Sequence, residues 1–396
     1  MVDCGAVPHL VTLLSSENAD IREQSAWCLG NVAGDGADLR NIVMKEGALY
    51  PLVQNIMQPA SLPLLRNCTW SLSNFCRGKP QPRIEDIGMA LPVLGQLVAN
   101  NMDADTTTDA VWALSYISDG DDSRIQHVVD LGIVQHMVNM LGSSTITTVV
   151  PALRTLGNIV SGNDFQTSEV VKANVLPLVA PLLAHARKNI RKETCWMLSN
   201  IAAGNEEQLD MLFNTPNLIS SVLEQMGNAT EWEVRKEASW VISNIASAGK
   251  MKHIVCLVEL GAITPLCELL NVGDSKILLV AMEALESIMK HGDYADIVEE
   301  AGGLDLLESL QEHENQEVYE RAVSIIEKHF GLEDEDESEN LAPATSANNN
   351  TFAFGMNTTG NANFDFNSNF VGKQLSQETT VANPPQPLLN NFAFNF

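Results

Sequence analysis

Positive charge is what this chain has least of for its size. Its 396 residues carry 23 Lys and Arg against 50 Asp and Glu, a formal net charge of −27. A field of that sign repels phosphate backbones and anionic headgroups. Direct binding of nucleic acid or of a membrane surface is therefore not expected, and a basic ligand is. Long apolar runs are missing too: none approaches the roughly 18 uncharged apolar residues that a membrane span requires. The seven cysteines include no pair at CxxC spacing, and their number is odd. They read as reduced core thiols of a cytosolic or nuclear protein. The opening residues MVDCGAVPHL resemble neither a signal peptide nor a transit peptide. No phosphate loop, metal cluster or nucleophile motif stands out, so no catalytic residue, metal or cofactor is expected and the chain is not read as an enzyme. GDG at 34–36 reads as a helix-terminating turn.

What is present is a repeat. SAWCLGNVAG (25–34), CTWSLSNFCRG (68–78), AVWALSYISDG (110–120), ALRTLGNIVSG (152–162), TCWMLSNIAAG (194–204) and ASWVISNIASAG (238–249) are versions of one segment. Their equivalent positions are Trp27, Trp70, Trp112, Arg154, Trp196 and Trp240, spaced 43, 42, 42, 42 and 44 residues apart. Between them recur segments such as GAVPHLVTLL (5–14), GALYPLVQNI (47–56), NVLPLVAPLL (174–183) and GAITPLCELL (261–270), apolar at i, i+3, i+4 and i+7. Shorter apolar segments precede these and end at a Gly suited to a helix C-cap. Each unit predicts a short helix, a second helix and a longer third helix carrying the Trp. Three helices in about 42 residues fall in the range of HEAT and armadillo repeats. The predicted fold is an all-α superhelical solenoid over residues 1–331, with about eight repeats, the first incomplete. The side of the third helix near Asp20 has no preceding repeat to cover it. SKILLVAMEALESIMKHG (275–292) continues the series with Glu283 and Ser287 at the Trp and Asn positions, and the charged unit at 292–331 reads as a cap. From 332 an acidic run, LEDEDESEN, leads into an Asn- and Phe-rich tail to 396, expected to remain disordered.

The third helices carry the candidate chemistry. Trp27–Asn31, Trp70–Asn74, Trp196–Asn200 and Trp240–Asn244 are i, i+4 pairs on one helix face. Stacking the repeats makes a ladder of indoles beside a ladder of amides. The amide donor and acceptor suit the backbone of an extended peptide. Slots between indoles suit the stem and ammonium of a lysine. Asp109, Glu193 and Glu237, each three residues before the Trp position, supply acids; Asp35, Asp119 and Asp164 are expected where third helices end. Trp112 is paired with Tyr116 instead of Asn, and Arg154 replaces Trp beside Asn158. That Arg should repel a basic peptide locally and pair with Asp109 or Glu193. The groove is thus expected to divide into two stretches, suited to a bipartite basic ligand.

At GNVAGDG (30–36), WSLSNFCR (70–77), WALSYISDG (112–120), CWMLSNIAAG (195–204) and SWVISNIAS (239–247) the chain closely resembles the importin α (karyopherin α) family. The resemblance covers nearly all of 1–331. It implies an armadillo-repeat nuclear import adaptor in cytoplasm and nucleus, binding cargo through Lys/Arg-rich nuclear localisation signals. It implies a major site at Trp27, Asn31, Asp35, Asn67, Trp70, Asn74, Asp109 and Trp112. It implies a minor site at Arg154, Asn158, Glu193, Trp196, Asn200, Glu237, Trp240 and Asn244. It also implies an export receptor at the C-terminal repeats. Members of the family carry a basic N-terminal domain that binds importin β; with no basic segment ahead of the first repeat here, that domain and the first two repeats are expected to be absent and the major site partial. The alternative reading is another armadillo scaffold binding extended peptides in adhesion or transcription; such scaffolds resemble basic-grooved binders of acidic partners, whereas the charge and the Trp–Asn ladder here point to a basic ligand.

Overall fold

The computed structural model describes residues 2–227 and 230–331. The acidic run and the Asn/Phe-rich tail lie outside them. Among the described residues every regular element is a helix. Eight long third helices recur: Ala19–Gly34, Leu62–Cys76, Ala104–Ser118, Ile146–Val160, Lys188–Ala202, Trp232–Ala248, Ser275–Lys290 and Gln316–His329. We number repeats 1 to 8 by these helices. Each packs against the next, so the eight form one continuous layer, and second helices such as Leu49–Met57 and Leu91–Asn100 pack on its other side.

The local reasons are visible in the chain. The first three third helices start at side-chain caps: Asn18 accepts from Asp20 N at 2.8 Å, Ser61 from Leu64 N at 3.2 Å and Asp103 from Thr106 N at 3.0 Å. The sharp turn between first and second helices needs a left-handed residue. Gly47, Gly132 and Gly261 sit there at φ 84°, 67° and 80°, and Asn174 and Asn217 take over at φ 60° and 58°. Repeat 3 departs from this pattern: its first helix, Ile84–Ile87, runs on into a 3-10 turn, Gly88–Ala90. In repeat 5 the expected helix over 174–183 is α only over Leu176–Val179 and becomes 3-10 over Ala180–Ala184. Pro181 has no N–H to donate four residues back, which is why the coil tightens there.

Burial follows the third helices. Leu29, Leu72, Leu114, Leu156, Leu198, Ile242 and Leu285 occupy the same register, two residues after the Trp position, and are all fully buried. Each such side chain contributes on the order of 1.5–3 kcal/mol. Polar groups tie neighbouring repeats together along the first helices. Gln166 Nε2 donates to Asp122 O at 2.8 Å, and Gln208 Nε2 to Asp164 O at 2.9 Å. Arg40, buried to 1 % exposure, donates to the carbonyls of Arg77, Gly78 and Pro80. These bonds satisfy loop carbonyls that burial would otherwise leave unpaired.

The two ends of the layer differ. At repeat 1, Ile21 is 40 % exposed where its counterparts Leu64, Ile190, Val234 and Ile277 are buried. An open cleft of about 320 Å³ lies there, lined by Leu10, Leu13, Ile21 and Cys28 among others. At repeat 8 the contact is ionic. Glu286, a buried carboxylate, meets Lys290 at 2.9 Å, Arg321 at 2.8 Å and Lys328 at 3.3 Å. Its burial opposes ionisation, but the hydrogen bond from Lys290 and the charge of Arg321 hold its pKa below the usual value.

Candidate functional site

The layer of third helices sets the Trp and Asn positions at repeat spacing along one face, because residues four apart in a helix share a side and the helices stack in register. The indoles are neither buried nor fully free. Trp27 is 49 % exposed, and Trp70, Trp112, Trp196 and Trp240 are half-buried. For Trp70 and Trp196, part of the packing surface is a glycine of the preceding third helix. A Cβ added to Gly30 would lie 2.7 Å from Trp70 Cζ3, and one added to Gly157 only 2.4 Å from Trp196 Cζ3. The missing side chains at these two positions are what let the rings lie down against the neighbouring helix.

In the first stretch, Asn67 Nδ2 donates to Glu23 Oε1 at 3.1 Å, linking repeats 1 and 2. Glu23 lies one turn before Trp27 and therefore on its face; the i, i+4 spacing was the signal for it, and its acid belongs with the site. Asn31 Nδ2 donates to Trp27 O at 2.8 Å. The Asn74 amide packs on Gly34, whose added Cβ would stand 3.3 Å from Cγ. Asp35 caps the end of its third helix and is exposed. Asp109 is half-buried, and burial, aided by the nearby charge of Asp105, pushes its carboxyl up to about 6. Trp112 stacks on Tyr116 at 5.9 Å between centroids, so the Tyr that replaces Asn extends an aromatic surface instead of an amide row.

In the second stretch, Arg154 Nη2 lies 2.6 Å from Glu193 Oε1, and its guanidinium stands 5.7 Å from the Trp196 ring. Of the two partners expected for this Arg, the structure selects Glu193. That carboxylate is thereby committed to a resident cation. Burial raises its pKa, against the lowering effects of Arg154 and Lys192. Glu237 is half-buried among Lys192, Glu193, Lys236 and Arg154, and burial is the main reason its carboxyl is pushed up to about 7. It is the acid of this stretch most available to a new cation.

The amides are only partly as expected. Asn158 Nδ2 donates to Ser115 O at 2.9 Å and Ser118 Oγ at 3.1 Å, and Asn244 Nδ2 donates to Ser199 O at 2.8 Å. These Asn side chains pin each third helix to the carboxyl end of the one before, which leaves their oxygens to accept from a ligand. Asn200 Nδ2 is buried without a partner. One acid is displaced from its expected place. Asp164 is not at the end of the repeat 4 third helix, which stops at Val160, but opens the next first helix, Asp164–Lys172, where its Oδ2 accepts from Asn205 Nδ2 at 3.3 Å. Asn163, as N-cap of that helix, leads the chain away from the face.

The geometry agrees with comparisons to known proteins. The armadillo/beta-catenin-like repeat model matches residues 1–34, 81–119, 121–161 and 163–203, and the atypical Arm repeat model matches 292–344. Importin subunit alpha-1b of Oryza sativa subsp. japonica is 43% identical over 368 residues, covering 90% of this chain and 68% of the relative. Importin subunit alpha-3 of Arabidopsis thaliana is 42% identical over 382 residues, covering 92% and 70%. Among solved structures, an engineered protein aligns at TM-score 0.76 and 28% identity, covering 82% of this chain and 78% of its own. A designed armadillo repeat protein in complex with the peptide (KR)4 aligns at TM-score 0.55 and 32% identity, over 60% of this chain and 98% of its own. Repeat length, three-helix units, the Trp–Asn face and these identities together make the chain a member of the importin α family of armadillo-repeat nuclear import adaptors.

Proposed function

We propose that the Trp–Asn face of the third helices binds extended Lys/Arg-rich segments, the basic nuclear localisation signals of cargo proteins, at two stretches. One stretch is centred on Trp27 and Trp70, with Asn31, Asp35, Asn67, Asn74, Asp109 and Trp112. The other is centred on Trp196 and Trp240, with Arg154, Asn158, Glu193, Asn200, Glu237 and Asn244. The observation that carries this reading is the comb itself: half-buried indoles one repeat apart, with Glu23, Asp109, Glu193 and Glu237 three or four residues before Trp27, Trp112, Trp196 and Trp240, on a chain of net charge −27. The relative solved with (KR)4 supports it, since that peptide alternates Lys and Arg and the two proteins share 32% identity.

Each part of the comb has a chemical task. An indole face attracts an ammonium or guanidinium by about 0.5–2 kcal/mol, more where water is excluded. The lysine stem lies along the rings while the charge reaches an acid. Free Asn oxygens accept from peptide N–H groups whatever the side chains are. Arg154 and the Trp112–Tyr116 pair interrupt the comb between the stretches, so a ligand spanning both crosses a segment without a stacked Lys. The wider reading includes shuttling between cytoplasm and nucleus and an export receptor at the last repeats.

The test is a titration of a Lys-rich peptide onto the full chain and onto the variant with Trp196→Ala and Trp240→Ala. The double variant should weaken binding at the second stretch by about tenfold or more. Equal affinity for both proteins would sink the slot reading.

A further inference from the structure

The second stretch has a resident cation at each end. Arg154, in the third helix of repeat 4, stands 5.7 Å from the Trp196 ring. Lys276, in the third helix of repeat 7, places Nζ 5.7 Å from the Trp240 ring. Repeat 4 precedes Trp196 and repeat 7 follows Trp240, so the two cations approach the pair of indoles from opposite sides.

Lys276 stands seven residues before Glu283, the Trp-equivalent position of its own helix. The same register in the six preceding third helices holds Asp20, Pro63, Asp105, Thr147, Asn189 and Glu233. None of these six repeats puts a cation there, and three put an acid. The placement is also against the helix dipole, which disfavours a positive charge in the first turn. Asp274, the N-cap, accepts from Lys276 N at 3.2 Å, and its other oxygen meets Lys236 at 2.8 Å. The indole face of Trp240 is what the side chain gains by lying over the preceding helix.

Glu283 replaces the next Trp, so a ligand side chain beyond Trp240 has one aromatic wall instead of two. Lys276 occupies that wall. We propose that Lys276 closes the far end of the second stretch and limits it to one stacked basic side chain, held between Trp196 and Trp240. Lys276 is then a specificity-determining residue that sets where a basic ligand must end. This assignment rests on the peptide-binding reading above.

The experiment uses three blocked peptides: one with a single Lys–Arg pair in neutral flanks, and two extended by a further Lys, two residues outward on either side. They are titrated by calorimetry onto the full chain carrying Trp27→Ala and Trp70→Ala, so that only the second stretch is read. The same background is made with Lys276→Ala and with Lys276→Arg. Lys276→Ala should raise the affinity of one extended peptide by about three- to tenfold and leave the short peptide within about twofold. Lys276→Arg, which keeps a stacked cation, should behave as the background protein. An equal gain for short and extended peptides would show that Lys276 acts only as a like charge, and no gain for either extension would overturn the assignment as well. If the short peptide binds but no extended peptide gains, only the role of Lys276 falls. If the short peptide does not bind the background protein at all, the peptide-binding reading falls with it.

Discussion

At the scale of single residues, two positions carry consequences that magnitude decides. Gly157→Ala would improve helix propensity by about 1 kcal/mol. The new Cβ, however, would stand 2.4 Å from Trp196 Cζ3 and 2.9 Å from Cε3, so the half-buried ring would have to shift. Overpacking of that kind costs about 1–3 kcal/mol, so the variant should be destabilised on balance. Urea denaturation reads the stability, and a peptide titration reads the displaced indole; an unchanged midpoint would show that the ring moves freely. The second position is Glu237, held near 7 chiefly by burial. Its folded pKa lies above the ordinary 4.5, so the folded protein binds more protons than the unfolded chain between those values. Its contribution to stability therefore falls as pH rises from about 4.5 to 7. Ligand binding runs the other way, since a lysine beside Glu237 favours the ionised carboxyl. Affinity for a Lys-rich peptide should rise between pH 6 and 8 with proton release, and Glu237→Gln should flatten that rise. A slope that survives the substitution would place the titrating group elsewhere, with Asp109, near 6, the next to test.

At the scale of elements, the third helices are held by different means along the array. Within it, small residues allow close approach and amides such as Asn158 and Asn244 cross to the previous helix. At the C-terminal end, Glu286 substitutes charge for packing and gathers Lys290, Arg321 and Lys328. Because the cations are largely exposed, the cluster is worth less than a buried pair would be. Glu286→Gln should still leave Arg321 and Lys328 without a counterion and loosen Gln316–His329 more than any other helix. Hydrogen exchange should report about tenfold faster amides there, with the third helices of repeats 4 to 6 unaffected. Uniform acceleration along the chain would mean that the array responds as one unit. The repeat unit and its third helix were readable from the 42-residue spacing and the i, i+4 pairs, because both depend only on local geometry. The helix at 176–179 is shorter than the apolar period over 174–183 implies, because that period continues through Pro181 where the coil tightens.

At the scale of the whole molecule, a net charge of −27 acts over the length of the array. Solvent-exposed charges interact across about 10 Å at 0.1 M salt and about 3 Å at 1 M. Raising salt from 0.05 to 0.5 M should therefore weaken a Lys-rich peptide by roughly tenfold or more, chiefly through faster dissociation and slower encounter. A salt-independent affinity would argue against carboxylate selection and for the indoles alone. Repeat arrays also spread stability between neighbours, so unfolding is expected to begin at the ends.

The amino-acid sequence by itself determined the repeat, the all-α class, the face on which Trp and Asn meet, and the sign of the field. Each of these is set within one turn of helix or by simple counting. Tertiary structure decided which charges are available. Arg154 and Glu193 are 39 residues apart and pair only because two third helices stack in register. The same stacking commits Asn158 and Asn244 to the preceding helix, leaves Glu237 as the available acid of the second stretch, and brings Lys276 over Trp240. Such contacts depend on the offset between consecutive helices, and that offset is a property of packed side chains rather than of any one segment.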